Sequence, residues 1–154
     1  MFENTAIGQY ITRVKALEGK HDEIFKIVLD NKTIKDLIIF LNTSRQLGSK
    51  NVDSLGNALT NRFSGRTTYS LFDKKGRGGQ PYKLFDTGDF WKTWEVEIDK
   101  GFISIKSDPR KGEDNLFEMF GAEIEGLTDD SLKILIKEAY ELYVKWFEKQ
   151  VLLR

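Results

Sequence analysis

Apolar positions in the first 48 residues recur at helical spacing. Ile7, Tyr10, Ile11, Val14 and Leu17 fall on one face of a short amphipathic helix, and Gly19 supplies a stop behind them. Asp22 stands where a cap would begin a second helix carrying Ile24, Phe25, Val28 and Leu29, which Asp30-Asn31-Lys32 interrupts. Thr33-Ile34-Lys35-Asp36 has the form of a capping box, with a hydroxyl and a carboxylate spaced to satisfy free amide groups. It predicts a third helix from Ile34 to about Leu47, ended by Gly48. The run Leu37 to Leu41 is apolar all round, which implies burial on more than one side. A buried strand is the alternative for those five residues, and the capping signal favours the helix.

Between Ser49 and Tyr82 the periodicity fades, and six glycines from Gly48 to Gly79 mark turns. The pattern predicts a long loop or arm over 49–83, unusual inside a compact domain and therefore functional or folded on itself. Within it, Asn57 to Phe63 has room for one helical turn and Thr67 to Phe72 for a strand. Lys74 to Pro81 is the most basic piece and is expected to be the most flexible.

The period then changes to two. Trp94, Val96 and Ile98 alternate with Glu95, Glu97 and Asp99, a half-exposed strand. Asp99-Lys100-Gly101 predicts a tight turn, and Phe102 to Ser107 the returning strand. Asp108 to Asp114 reads as a polar loop, and Leu116 to Phe120 as a turn of helix ending at Gly121. Thr128-Asp129-Asp130 caps a long C-terminal amphipathic helix. Its stripe is Leu132, Leu135, Ile136, Ala139, Tyr140, Tyr143, Trp146 and Phe147. Ile134, Leu142 and Val144 lie outside that stripe and call for a second packing partner, in the domain or in a neighbouring subunit. The expected fold is α+β, one domain over 1–154: a helical part at 1–48, the basic Gly-rich arm at 49–83, a small antiparallel sheet built on a hairpin at 84–115, and a helical part at 116–154.

Length and composition fit one soluble globular domain, with 154 residues, 40% of them hydrophobic and 31% charged. With no cysteine, disulfides, thiolate metal sites and a cysteine nucleophile are all excluded. The single histidine, His21, cannot make a multi-histidine metal site. No apolar run approaches the roughly 20 residues that span a bilayer, and Met1-Phe2-Glu3 does not begin a signal peptide, so no membrane is expected and the chain reads as cytoplasmic where it is made. Net charge is zero but unevenly spread. Ser49 to Phe85 holds seven Lys/Arg against two Asp/Glu, and Asp86 to Arg154 ten against sixteen. A basic middle and an acidic C-terminal half suit self-assembly or docking on a charged partner.

Leu84-Phe85-Asp86-Thr87-Gly88-Asp89-Phe90 is the stretch richest in candidate chemistry. Asp-Thr-Gly after two apolar residues is how a retropepsin-like aspartic protease carries its catalytic carboxylate: Asp86 of two copies would share a proton, Thr87 would lock the loop and Gly88 would allow close approach. Asp89 stands where such proteases carry a small Ala or Ser, and adds a negative charge beside the pair. Metal-dependent nuclease chemistry would draw on Glu95, Glu97 and Asp99 on one strand face, with Asp86, Asp89 and Asp108 near in sequence. No Asp-x-Lys or Glu-x-Lys triplet follows on the second strand, and a solvated strand face is the expectation. Gly76 to Gly79 lacks the Gly-Lys-Ser/Thr ending of a phosphate loop. The basic arm with Phe63, Tyr69 and Phe72 has the makings of a nucleic-acid grip, and contact with a protein surface explains the same residues equally well. No catalytic residue, metal ligand or cofactor is expected.

From about Thr68 to Phe147 the chain resembles the virion morphogenesis and tail completion proteins of tailed bacteriophages. The resemblance lies in Thr68-Tyr69-Ser70 and Lys74-Lys75-Gly76 leading into Leu84-Phe85-Asp86-Thr87-Gly88 and Phe90, in the hairpin from Trp94 to Ser107, and in Phe120-Gly121 followed by Gly126-Leu127-Thr128-Asp129. Upstream, Leu41-Asn42-Thr43-Ser44-Arg45-Gln46-Leu47 is similar to a helix end in relatives from phages of Bacteroidetes-like hosts. The chain departs from the family at Thr93, where a Ser is common, and at Ala122-Glu123-Ile124-Glu125, where an Arg-Pro-Phe precedes the final Gly-Leu. The resemblance implies a non-enzymatic structural protein of the neck or tail end, assembled in the host cytoplasm and ending in the virion. Its partners would be further copies of itself in a ring, tail-tube or head-tail connector proteins, and DNA passing through the channel. Asp86, Thr87, Gly88, Phe90 and Trp94 would then form a structural joint. Lys74, Lys75, Arg77, Lys83, Trp91, Leu142 and Trp146 are the candidate interface residues.

Overall fold

The computed structural model describes residues 5–99 and 102–152. The fold is α+β. Three N-terminal helices run Ala6–Leu17 (α1), His21–Leu29 (α2) and Lys32–Phe40 (α3), and α3 continues without a break into a π-helical segment, Leu41–Lys50. After the arm come a short helix α4 (Asp89–Lys92), an antiparallel hairpin of β1 (Glu95–Asp99) and β2 (Phe102–Lys106), and a miniature hairpin of β3 (Arg110–Lys111) and β4 (Asp114–Asn115). Helix α5 (Leu116–Phe120), one 3-10 turn (Ala122–Ile124) and the long helix α6 (Asp129–Leu152) complete the chain.

Caps explain most boundaries. Thr5 accepts from the Gly8 amide to open α1, and Asn115 accepts from the amides of Phe117 and Glu118 to open α5. Thr128 accepts from the Ser131 amide at 3.3 Å at the head of α6, as its sequence predicts. Two other capping expectations need correction. The residue before α2 is Lys20, with no side-chain cap, and Asp22 lies in the first turn, where its charge favours the helix dipole. Helix α3 is capped by Asn31, whose Oδ1 accepts from the Thr33 amide at 2.8 Å, so Thr33 is inside the helix and Asp36 pairs with Lys32 instead of closing a capping box.

The third helix also runs past Gly48 to Lys50, ending where Asn51 takes a left-handed conformation at φ 57°. The glycine that reads as a stop is a packing residue: a Cβ there would lie 2.8 Å from Cη2 of the Trp91 ring. Ten residues of π-helix is long for a form normally seen as single-turn bulges. Side chains explain why it is tolerated here. Asn42 and Gln46, both fully buried, clamp the segment that leads into α6. Asn42 donates to the Ile124 carbonyl at 3.0 Å and accepts from the Gly126 amide at 2.8 Å. Gln46 donates to the Gly126 carbonyl at 2.9 Å and accepts from the Thr128 amide at 2.8 Å.

Two adjoining apolar clusters form the core. One joins Val28, Ile34, Ile38 and Leu41 of the N-terminal helices to Val96 of the hairpin and Leu135 and Ala139 of α6. The other joins Leu47, Leu59, Tyr82, Leu84, Phe90, Trp94, Leu116, Phe120 and Ile124. Ile39 and Ile105 pack against both. Leu59 and Tyr82 belong to the arm, so 49–83 is part of the fold rather than an appendage. Asn57 to Phe63 forms no helical turn, because Ala58 and Asn61 are drawn into bridges with Val52 and Arg66. Thr67 to Phe72 pairs only at its start. Thr68 bridges Pro81, while Leu71 and Phe72 lie in a turn and face solvent.

The β1–β2 hairpin forms where the alternation predicts it, with a register from Glu95 opposite Lys106 to Asp99 opposite Phe102, so Asp99 belongs to the strand; Lys100 and Gly101 of the expected turn lie outside the described residues. The expected polar loop at 108–114 contains the β3–β4 pairing. The stripe on α6 is also corrected. Leu135, Ala139 and Val151 are buried and Ile134 and Leu142 pack on the core, whereas Leu132, Ile136 and Tyr140 are exposed. The buried face is therefore rotated from the one the spacing suggests, because the N-terminal helices α1, α2 and α3 pack against α6, with Leu135, Ala139 and Leu142 in the core they share.

Candidate functional site

The Asp-Thr-Gly stretch borders a cavity of about 560 Å³ between the arm, the loop before α4 and the β3–β4 hairpin. Entry to it is conformationally costly. Leu84, a buried leucine, has φ 50°, a left-handed backbone uncommon for a bulky residue. Gly88 has φ 83° at the start of α4, and a Cβ there would lie 3.1 Å from the Phe85 ring. Together these bends expose Phe85 edge-on against Trp91, with ring centroids 4.7 Å apart, and bury Phe90 against Trp94 at 5.5 Å.

Asp86 points into a set of cations. Its carboxylate accepts from Lys75 of the arm and from Lys111 of β3 at 2.7 Å, and Arg77 Nη1 lies 3.8 Å away. Its side chain is only 16% exposed. The hydrogen bonds from Lys111 and Lys75 hold the carboxyl well below the usual range, at about 2. Asp86 therefore joins three segments by ion pairing. Helix α4 opens at Gly88 without a side-chain cap, and the Thr87 hydroxyl accepts weakly from the Asp89 amide at 3.4 Å and donates to the Asp89 carboxylate.

Arg77 is fixed by a second carboxylate. Asp73 takes Arg77 Nε at 3.1 Å and Nη2 at 2.9 Å, a bidentate pair, and also accepts from the amides of Lys75 and Arg77. The side-chain bond to Arg77 leads the causes that lower Asp73 to about 2. The guanidinium lies over the Tyr69 ring at 4.1 Å, and Tyr69, Tyr82 and Phe120 contact edge to face behind it. The stretch expected to be flexible is thus held by hydrogen bonds and stacking. Asp73 and Lys111 are the site residues that sequence reasoning missed. Asp73 carried a signal, an acid four residues before Arg77; Lys111, 25 residues from Asp86, carried none.

No family model matches this chain, and neither does any curated protein or solved structure.

The carboxylates weighed for metal binding do not converge. Glu97 pairs with Lys106 across the hairpin, Asp108 with Arg110 at 3.0 Å and Asp89 with Lys92 at 3.2 Å, and no group able to hold a metal ion occurs among the described residues. Of the expected interface residues, Lys75 and Arg77 are engaged within the chain and Leu142 packs on the core. Trp91 and Trp146 are half-buried, while Lys74 and Lys83 are exposed and make no ion pair among the described residues.

Two outcomes follow for the charge cluster. Asp86→Asn keeps the shape but leaves Lys75 and Lys111 without a counter-charge beside the Asp73-paired Arg77, so the melting temperature should fall and should recover partly in high salt, as thermal melts at two ionic strengths will read. The pH dependence has a definite sign. Asp73 and Asp86 are ionised more readily folded, at about 2, than in the unfolded chain near 3.8, so their stabilisation is present above that unfolded value and is lost as pH falls from about 4 toward 2. Acid titration of the wild type should show this loss, and Asp86→Asn should flatten it.

Proposed function

We propose that this chain is a structural, non-enzymatic protein of the neck or tail end of a tailed-phage virion, acting in tail completion or head-tail joining as one subunit of an oligomeric ring. One observation carries the reading. Among the described residues the most exposed large hydrophobic side chains are Leu55, Phe63, Leu71 and Phe72 on the arm and Phe102 on the hairpin, followed by Ile7 on α1 and Ile136 and Tyr140 on α6, so apolar surface is displayed on several elements. A closed ring needs two unlike, complementary surfaces on every copy. Neutralisation of Asp86 by three cations supports a structural role for the Asp-Thr-Gly stretch, since a protease pair must instead share a proton.

A nucleic-acid-binding role is the second reading, favoured by exposed Arg66 and Lys74 close in sequence to the exposed rings of Phe63 and Phe72, with Lys83 further along the arm. Sedimentation of the purified full chain, alone and with tail-tube or connector proteins, separates the two. The ring reading expects a discrete oligomer or a complex with those partners. A strict monomer that binds single-stranded DNA with a steep salt dependence would overturn it in favour of the second.

A further inference from the structure

We propose that the arm of one copy docks on the outer face of the β1–β2 hairpin of a second copy, head to tail. The inference rests on the ring reading and names the two surfaces that would meet.

On the arm, exposed apolar side chains sit on turns stapled from within. Asp53 Oδ1 accepts from the amides of Leu55 and Asn57, both at 2.9 Å. Asn61 Oδ1 accepts from those of Phe63 and Ser64 at 3.0 and 3.1 Å. Ser70 Oγ accepts from the Phe72 amide at 3.3 Å. The same device recurs three times: a short polar side chain fixes the backbone two residues on, and the residue so fixed is a large exposed Leu or Phe. Side chains presented on a fixed backbone lose less freedom when they are covered, which is how a binding surface is preorganised. Both arm carboxylates face inward, Asp53 onto its own turn and Asp73 onto Arg77, whereas Arg66, Lys74 and Lys83 are exposed and make no ion pair among the described residues. Phe72 and Lys74, two residues apart, make this part of the arm apolar and basic, whereas Leu55 lies beside Asp129 and Asp130 at the head of α6.

The hairpin offers the complement. Its inner face packs through Val96, Ile98, Ile103 and Ile105. Strand alternation therefore sends Glu95, Glu97 and Asp99 outward on β1, with Phe102, 77% exposed, opposite Asp99. Lys106 pairs with Glu97 and stands opposite Glu95 on the same face, so the three carboxylates there outnumber one cation, and Asp99 makes no ion pair among the described residues. One face is apolar and acidic, the other apolar and basic, and a single copy leaves both open. Two of the four arm residues are leucines, which cannot stack on bases and gain by burial against another apolar surface, so a protein partner fits better than nucleic acid.

Sedimentation velocity on the full chain tests the contact, with circular dichroism confirming each fold. Phe72→Ser, Lys74→Glu with Lys83→Glu, and Glu95→Lys with Asp99→Lys change only exposed side chains, and each is expected to weaken self-association about tenfold or more. Mixing the arm-reversed and hairpin-reversed chains should restore it, because each reversed surface then meets its complement. Variants that assemble like the wild type, or reversed chains that fail to rescue one another, would overturn this contact and leave the ring reading standing. A wild type that is monomeric alone and with tail partners would overturn both.

Discussion

Gln46→Leu is expected to destabilise the fold by roughly 2–4 kcal/mol, although the replacement is similar in size and more apolar. The side chain is fully buried, and its amide satisfies the Gly126 carbonyl and the Thr128 amide just before α6. Leucine leaves both backbone groups without a partner, and an unmade buried hydrogen bond costs more than a made one contributes. In a chain of this length the loss corresponds to a fall in melting temperature of roughly 5–15 °C. Asn42→Asp gives a sharper signature at the companion position. Oδ1 can still accept from the Gly126 amide, but the Nδ2 donor becomes an oxygen facing the Ile124 carbonyl. Burial raises the new carboxyl's folded pKa, so its destabilisation is full at neutral pH and is relieved as pH falls through that raised value. Melting curves at pH 5 and pH 7 should therefore diverge more for Asn42→Asp than for Asn42→Leu. Equal losses at both pH values would mean that the amide clamp is not formed.

Gly121→Ala is expected to cost roughly 2–3 kcal/mol, for a different reason. At φ 96° and ψ 159° the backbone between α5 and the 3-10 turn is in a region open almost only to glycine. A Cβ would also lie 2.3 Å from both Arg62 Nη2 and Glu123 Oε2, but these are the far ends of exposed, flexible side chains that can swing aside, so the backbone conformation carries the cost. Gly19→Ala is the control, since Gly19 has φ 77° with nothing within 4 Å of the added atom. Its cost should be about 1 kcal/mol, the left-handed penalty alone. Denaturant midpoints at unchanged slope will read both.

These positions also mark what the sequence could and could not reveal. The β1–β2 hairpin was legible because alternation of Trp94, Val96 and Ile98 with carboxylates is a local pattern with one buried face. Helix α6 was legible in its start and in its existence, through Thr128 and the aspartates after it. Its buried face was not, since Leu132 and Leu135 look alike until the N-terminal helices packed on α6 select one of them. Gly48 misled because a glycine near a helix end reads as a stop, whereas its hydrogen atom makes room for a tryptophan 43 residues later in the chain (91 − 48). The arm looked structureless for a similar reason. Its order comes from Asp53, Asn61, Ser70 and Asp73 bonding to nearby amides, which leaves no hydrophobic period behind. Asp86 stood out in the sequence, but its partners did not, and those partners give it a role as a charge hub.

The three cations around Asp86 bear on the order of events in folding. Lys75 is 11 residues from Asp86 and Lys111 is 25, so these contacts close loops that the helices and the β1–β2 hairpin do not need. Interactions that form after the rate-limiting step act on the rate of leaving the native state. Raising ionic strength should therefore accelerate unfolding while leaving the refolding limb of a chevron plot nearly in place, and in Asp86→Asn the salt sensitivity of the unfolding limb should shrink. The basic turn of the arm around Lys75 and Arg77 would then be among the last pieces to join the fold and the first to leave it, after Leu59 and Tyr82 have entered the core.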